Sequence, residues 1–264
     1  MKRVLKPYGI KQLLCIALSV MLATGFMPLH ASAYSNKYVY KVTTFKQNTP
    51  TAVKADSFEY DEKTQTDTTV YHMYKITLPA NGYIRTQASS KNYTLYIYRS
   101  LPSGRYLENP DAITSLSGSG TNYKVLPKGT YYIRSSCDLS LKWSFTRINH
   151  KSNYCRAKAA SLKSGKKAVV VFDYGYEYAK WYKIKLKKKK KIIVTQEVMD
   201  SLSPRTNLAI YDSRGYRVQL SMLSGMRYQT AKLPKGTYYI MVSRSFDRNE
   251  SSVYEGRLDQ ISWK

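Results

Sequence analysis

The heptad Leu-Pro-Lys-Gly-Thr-Tyr-Tyr stands at 126–132 and again at 233–239, each time followed by Ile. A second pair of landmarks, Tyr-Lys-Ile-Thr-Leu from Tyr74 and Tyr-Lys-Ile-Lys-Leu from Tyr182, is offset by 108 residues against 107 for the first pair. Two independent landmarks that agree to one residue indicate a tandem duplication, with a first unit over 36–149 and a second over 150–264. Solenoid repeats run about 20–50 residues, so a period this long is a whole domain rather than a repeat of that kind. A domain of this size can bury its own core.

Inside each unit the hydrophobic period is two. Tyr74, Ile76 and Leu78 alternate with Lys75 and Thr77, and Tyr182, Ile184 and Leu186 alternate with Lys183, Lys185 and Lys187. That pattern buries one strand face and wets the other. By the same alternation Leu95, Ile97, Tyr131, Ile133, Leu208 and Ile210 point inward, which leaves Tyr96, Tyr98, Tyr132, Arg134 and Tyr211 outward. Short strands punctuated by Pro-Ala-Asn-Gly, Pro-Ser-Gly-Arg, Asp-Ser-Arg-Gly and Leu-Pro-Lys-Gly predict an all-β protein. The expected fold is two tandem antiparallel β-sandwich domains of jelly-roll or immunoglobulin-like kind. In the repeated heptad Pro127 or Pro234 fixes the approach to a turn and Gly129 or Gly236 relieves its backbone. Helix signals are sparse, and Cys155–Gly165 predicts at most one short turn before the second unit.

Residues 1–33 read as a signal peptide: Lys2, Arg3, Lys6 and Lys11 precede the apolar run Leu13–Phe26, and Ala31-Ser-Ala33 offers a cleavage site. The apolar run is shorter than the ~20 residues that span a bilayer. A secreted protein is expected, extracellular or held at the wall of a Gram-positive bacterium, with no membrane span in its mature form. Subtracting the four leader cations from the formal +26 leaves +22. Excess charge of one sign attracts polyanions, and salt screens that attraction. The expected partners are an anionic wall polymer, an acidic glycan or an extracellular protein, with nucleic acid reached only nonspecifically. Beyond the leader two cysteines remain, Cys137 and Cys155. Export permits a disulfide between them. It would close a loop of about 18 residues and contribute ~3 kcal/mol; two separate thiols is the alternative, decided by a Cα separation that sequence does not supply.

Trp181-Tyr-Lys-Ile-Lys-Leu, then Asn207–Gly215, then the second heptad with its strand form a series that resembles the bacterial pre-peptidase C-terminal domain, a β-sandwich appended to many secreted proteases. The second unit is similar over most of its length, the first at Tyr74–Thr86, Thr94–Ser100 and Leu126–Ser136. The resemblance implies an accessory module of secreted hydrolases, with substrate binding in some members and calcium binding in others. Where the family often has an acidic pair before Trp-Tyr, this chain has Tyr178, Ala179 and Lys180; where it often has Asp opening the next strand, this chain has Thr94 and Asn207. Asp173, Glu177 and Asp212 are the acids left for a calcium ion, and no metal or cofactor is expected.

The chemistry in the sequence is thin. His72 and His150 are the histidines beyond the leader, and the serine-rich stretch Ser115–Tyr123 lacks the Gly-x-Ser-x-Gly elbow. Cys155 with His150 supplies the residue types of a thiol hydrolase without a defining spacing. The conspicuous feature is the run Lys187, Lys188, Lys189, Lys190 and Lys191. As a solvated turn, such lysines keep strand edges from pairing with other chains. As an anion-binding knuckle, they would be joined by Lys183 and Lys185, and by Lys163, Lys166 and Lys167 if these fall on the same side. Lysine is a flexible point charge suited to diffuse attraction. The second candidate is an aromatic face of Tyr96, Tyr98, Tyr132, Tyr211 and Tyr239, since rings on a sheet stack on sugars or bases; the alternative is that they cover one another across strands. The leading expectation is a non-catalytic binding or accessory protein. The alternatives are a secreted hydrolase with an unrecognised site and a purely structural accessory protein.

Overall fold

A computed structural model describes residues 35–101, 106–107, 112–118, 120–149, 152–173, 179–200, 206–244 and 256–264. The leader lies outside the described residues, as do His150 and Glu177. The first half holds β1 (Ser35–Thr44), β2 (Thr51–Val53), β3 (Ser57–Asp61), β4 (Thr66–Leu78), β5 (Gly82–Ala88), β6 (Thr94–Tyr98), β7 (Thr114–Ser117), β8 (Thr121–Leu126), β9 (Gly129–Ser135) and β10 (Leu139–Arg147). After a 3-10 turn at Arg156–Lys158, which is the short turn expected there, come β11 (Ala160–Ser161), β12 (Lys167–Phe172), β13 (Ala179–Leu186), β14 (Ile193–Val198) and β15 (Thr206–Asp212). The chain closes with β16 (Arg217–Val218), β17 (Ser221–Ser224), β18 (Arg227–Gln229), β19 (Gly236–Arg244) and β20 (Arg257–Trp263). Among the described residues no helix is long and apolar enough to cross a membrane.

The strands form four sheets, ordered β1-β4-β9-β6-β7 with β3 also on β4, β2-β10-β5-β8, β11-β13-β19-β15-β16, and β12-β20-β14-β18-β17. The first two sheets face one another across Ile76, Leu95, Ile97, Ile133, Ile84, Leu141 and Trp143. The last two do so across Ile184, Ile210, Ile240, Phe172, Val194 and Ile261. Two β-sandwiches with a recurring topology therefore follow one another, as the period-two pattern requires. Equivalent registers repeat: Tyr74 pairs with Ile133, and Tyr182 with Ile240.

Two strand pairings in these otherwise antiparallel sheets are parallel. β1 runs parallel to β4 through ten residue pairs, and β11 runs parallel to β13. Each enters its sheet on the free side of the strand that pairs with the heptad strand, a nonlocal pairing that no alternation records.

The repeated heptad has a side-chain reason as well as a backbone one. Tyr131 donates its hydroxyl to Pro127 O at 2.8 Å, and Tyr238 donates to Pro234 O at 3.0 Å. In both copies the first tyrosine ring enters the core while its hydroxyl clasps the turn that precedes the strand, a pairing of apolar body and satisfied polar tip. Gly129 takes φ 155° where the chain enters β9. Tyr131→Phe and Tyr238→Phe should each destabilise by about 1 kcal/mol, the net worth of one such hydrogen bond, seen as a fall of a few degrees in thermal unfolding with the fold retained. An unchanged Tm in both would show that the hydroxyls hold nothing.

The two sandwiches meet through a third apolar cluster. Val125, Ile148 and Leu258 are buried there, flanked by Tyr83, Tyr123, Val171 and Met199. Tyr123 and Asp200 form a parallel bridge across the junction, and Asn81 Nδ2 donates to Asp173 Oδ2 at 2.9 Å.

Candidate functional site

The lysine run sits on ordered backbone. Along β13 the buried Tyr182, Ile184 and Leu186 leave Lys183 and Lys185 exposed, and the chain then turns through 187–192 into β14. Lys190 and Leu233, the latter opening the second heptad, exchange backbone hydrogen bonds at 3.1 and 2.9 Å. Ile192, fully buried, donates its backbone N–H to Thr230 Oγ1 at 3.0 Å. A run of like charges would splay if left to repulsion; these anchors hold it against the body of the second sandwich.

Lys163, Lys183, Lys185, Lys187, Lys188 and Lys190 line one concavity of about 910 Å³, with the buried Leu162, Ile184 and Trp263 also in its lining and, among the described residues, no Asp or Glu there. Trp263 is 4% exposed. Its Nε1 donates to Leu162 O at 2.8 Å, and Lys190 Nζ lies 5.3 Å from its ring centroid. Lysine stems cover apolar surface while their ammonium groups stay in water. The result is a groove with an apolar base and a cationic rim.

Not every lysine joins it. Lys189 and Lys191 are exposed and outside the lining, as are Lys166 and Lys167, the last of which pairs with Glu197 at 3.6 Å. Trp263 is the part of the groove that sequence reasoning missed. Its signal was the alternation of Ile261 and Trp263, which turns both side chains into the core.

The aromatic face fares differently. Tyr98, expected outward, is fully buried, and Tyr96 and Tyr132 are half-buried. They pack with Tyr71, Met73 and Leu107 in a small second core on the back of the first sheet, closed by Leu101 and Ala112 from the connection after β6. Arg134 is set among them. It pairs with Asp56 at 2.6 Å, lies 5.2 Å from the Tyr71 ring and 5.5 Å from the Tyr96 ring, and donates Nη1 to Tyr98 Oη at 3.4 Å. Alternation correctly places these tyrosines opposite the main core; the connection that covers them makes a core of its own. In the second sandwich the rings of Trp181 and Tyr211 pack tilted at 39° with centroids 5.3 Å apart, and the Arg156 guanidinium lies 5.8 Å from the Tyr239 ring. The rings are thus spent largely on one another and on arginines.

Cys137 and Cys155 are separate thiols, which corrects the possible bridge. Cys137 packs against the first core with its Sγ 3.7 Å from Asn92 O, whereas Cys155 precedes the 3-10 turn of the second half. Alkylation in denaturant without reductant should therefore add two adducts to the chain lacking residues 1–33; no adduct would show that the disulfide forms. Asp212, one of the calcium candidates, spends Oδ1 on the backbone N–H groups of Arg214, Gly215 and Tyr216, and Asp173 accepts from Asn81. Among the described residues no three or more His, Cys, Asp and Glu gather as a metal site would require. His72 lies half-buried on β4 opposite Lys41 of β1.

A buried polar knot closes one end of the second sandwich. Asp259, 2% exposed, accepts from Gln196 Nε2 at 2.8 Å and Thr206 Oγ1 at 2.6 Å. Asp200, 4% exposed, accepts from the Leu258 backbone N–H at 3.0 Å. Burial pushes the Asp200 carboxyl up to about 6, opposed by the Leu258 N–H and by Arg257, with Asp259 adding to the rise and Lys124 opposing it. Burial raises Asp259 as well, against the hydrogen bonds from Thr206 and Gln196.

No family model matches this chain, and no curated protein does. Among solved structures, the pre-peptidase C-terminal domain of a Bacillus anthracis collagenase is 12% identical, covering 44% of this chain and 100% of its own, at a TM-score of 0.33. PliG of Salmonella Typhimurium, a periplasmic inhibitor of g-type lysozyme, is 17% identical over 40% of this chain and 100% of its own, at 0.26. The PBSX exported protein XepA is 10% identical over 83% of this chain and 86% of its own, at 0.20. The fold rests on the strand pairing and the cores described above, and at these scores none of the three assigns a family.

Proposed function

We propose that this protein is a secreted, non-catalytic binding protein of two domains, 36–149 and 150–264, of the pre-peptidase C-terminal kind, which adheres to anionic cell-wall or extracellular polymers. The observation that carries this reading is the convergence of Lys163, Lys183, Lys185, Lys187, Lys188 and Lys190 on one groove whose lining, among the described residues, contains no acid. A cleft lined by one sign of charge concentrates counter-ions and steers their approach. The formal charge of +22 that remains once the four leader cations are subtracted from +26 adds a long-range field of the same sign. The groove's contribution is local: it holds the charges on fixed backbone over an apolar base.

The test is retention of the purified protein on immobilised phosphate-bearing and carboxylate-bearing polymers and on a neutral glycan. Retention on the anionic polymers at low salt, release as salt rises past physiological strength, and none on the neutral glycan is the expected result. Passage through every anionic column at low salt overturns the reading.

A further inference from the structure

The spacing of the groove's charges says more than their sign. Lys183 and Lys185 occupy alternate positions along β13, Lys187 follows at the bend after its last residue, and all three line the same concavity. A strand rises about 3.3 Å per residue, so the Lys183 and Lys185 stems leave the backbone ~6.6 Å apart. Lys187, Lys188 and Lys190 carry the row on into the turn. A ligand that neutralises the row without bending needs one negative charge at about that interval. A phosphodiester polymer with a three-carbon unit between phosphates has about six bonds of roughly 1.5 Å per repeat, which bond angles shorten to ~7 Å. Polyphosphate places a charge beyond every bridging oxygen and would leave much of its charge unmatched.

The rings decide between the phosphodiesters. Binding of single-stranded nucleic acid combines a basic groove with aromatic platforms on which bases stack. Here the ring in the groove lining, Trp263, is 4% exposed and has Lys190 above it. Nearby, Tyr239 lies under Arg156, and Tyr211 against Trp181. A polymer of bare alditol units asks for no such platform, and its methylenes suit the apolar base formed by Leu162, Ile184 and the lysine stems.

We propose that the groove takes an extended alditol-phosphate polymer, read by the lysine row of β13; this rests on the polyanion-binding function proposed above. The probe is poly(glycerol phosphate), compared at equal charge concentration and low salt with oligodeoxythymidylate, polyphosphate and polyglutamate, each titrated against the whole protein. Poly(glycerol phosphate) should bind at least fivefold more tightly than any of the others. Replacing Lys183→Thr and Lys185→Thr together should bring that preference below fivefold while the circular dichroism spectrum stays unchanged. Similar affinity for all four polymers overturns the proposal and leaves the polyanion reading standing. Preference for the oligonucleotide overturns it in favour of nucleic acid, and a preference that survives in the double variant shows that the row is not what reads the polymer. Absence of binding to all four overturns both readings.

Discussion

Replacing Lys183, Lys185, Lys187, Lys188 and Lys190 together with Ser should weaken binding to an anionic polymer by at least a hundredfold at low salt. It should also flatten the plot of log affinity against log salt, because fewer counter-ions are displaced from the polymer when fewer of its charges are neutralised. Stability should fall by about 1 kcal/mol or less. Lys183, Lys185, Lys187 and Lys188 are exposed, and surface substitutions of that kind usually move unfolding by about half a kcal/mol or less; Lys190 also covers the Trp263 ring, a contact worth about 0.5–1 kcal/mol. Relief of lysine–lysine repulsion acts in the stabilising direction. Replacing Lys166, Lys167, Lys189 and Lys191, which stand outside the lining, serves as the control: its loss of affinity should be several-fold smaller. Equal losses in the two variants would mean that total charge, not the groove, does the binding.

A second large effect should come from the buried knot. Because the Asp200 carboxyl titrates near 6 in the folded protein and near 3.8 when unfolded, the folded state holds a proton between those values that the unfolded state has released. Stability from this group is therefore fully present below about pH 4 and is lost as pH rises through 6. The difference amounts to about 3 kcal/mol by the usual conversion of 1.36 kcal/mol per pKa unit. Asp200→Asn keeps an oxygen to accept the Leu258 N–H and removes the charge. It should raise stability at pH 7 by about 1–3 kcal/mol, the lower end reflecting attraction to Arg257 and Lys124 that is lost with the charge, and should change little at pH 3.5. Thermal unfolding followed from pH 3.5 to 7 checks this. A variant less stable than the parent at pH 7 would show that Asp200 is held ionised by those cations.

How far the sequence carries can be seen residue by residue. Alternation along Tyr74–Leu78 and Tyr182–Leu186 identifies core strands because side-chain direction in a strand is a local property. The 108-residue offset of Tyr182–Leu186 from Tyr74–Leu78 places the lysine run at a turn, since the first copy has Pro-Ala-Asn-Gly there. What alternation cannot encode is what lies on the far side of a strand. Tyr98 is opposite the main core as its parity requires, yet Leu107, from the connection after its own strand, buries it. The parallel pairing of β1 with β4 is hidden for the same reason, being a choice of partner and not of conformation. The groove was half legible: its rim is written in consecutive lysines, whereas Trp263 reaches it from the last strand and Lys163 from the loop before β12. The Asp200 knot was not legible at all, because an isolated aspartate in sequence carries no mark of burial.

If polyanions bind at the β13 groove, lysine footprinting will report it residue by residue. With an anionic polymer bound at low salt, brief acetylation followed by peptide mass analysis should show Lys183, Lys185, Lys187 and Lys188 protected several-fold. Lys46, Lys54 and Lys91, exposed on the first sandwich, should react as in the free protein. Protection spread evenly over both sets, or concentrated on the first sandwich, would contradict the account.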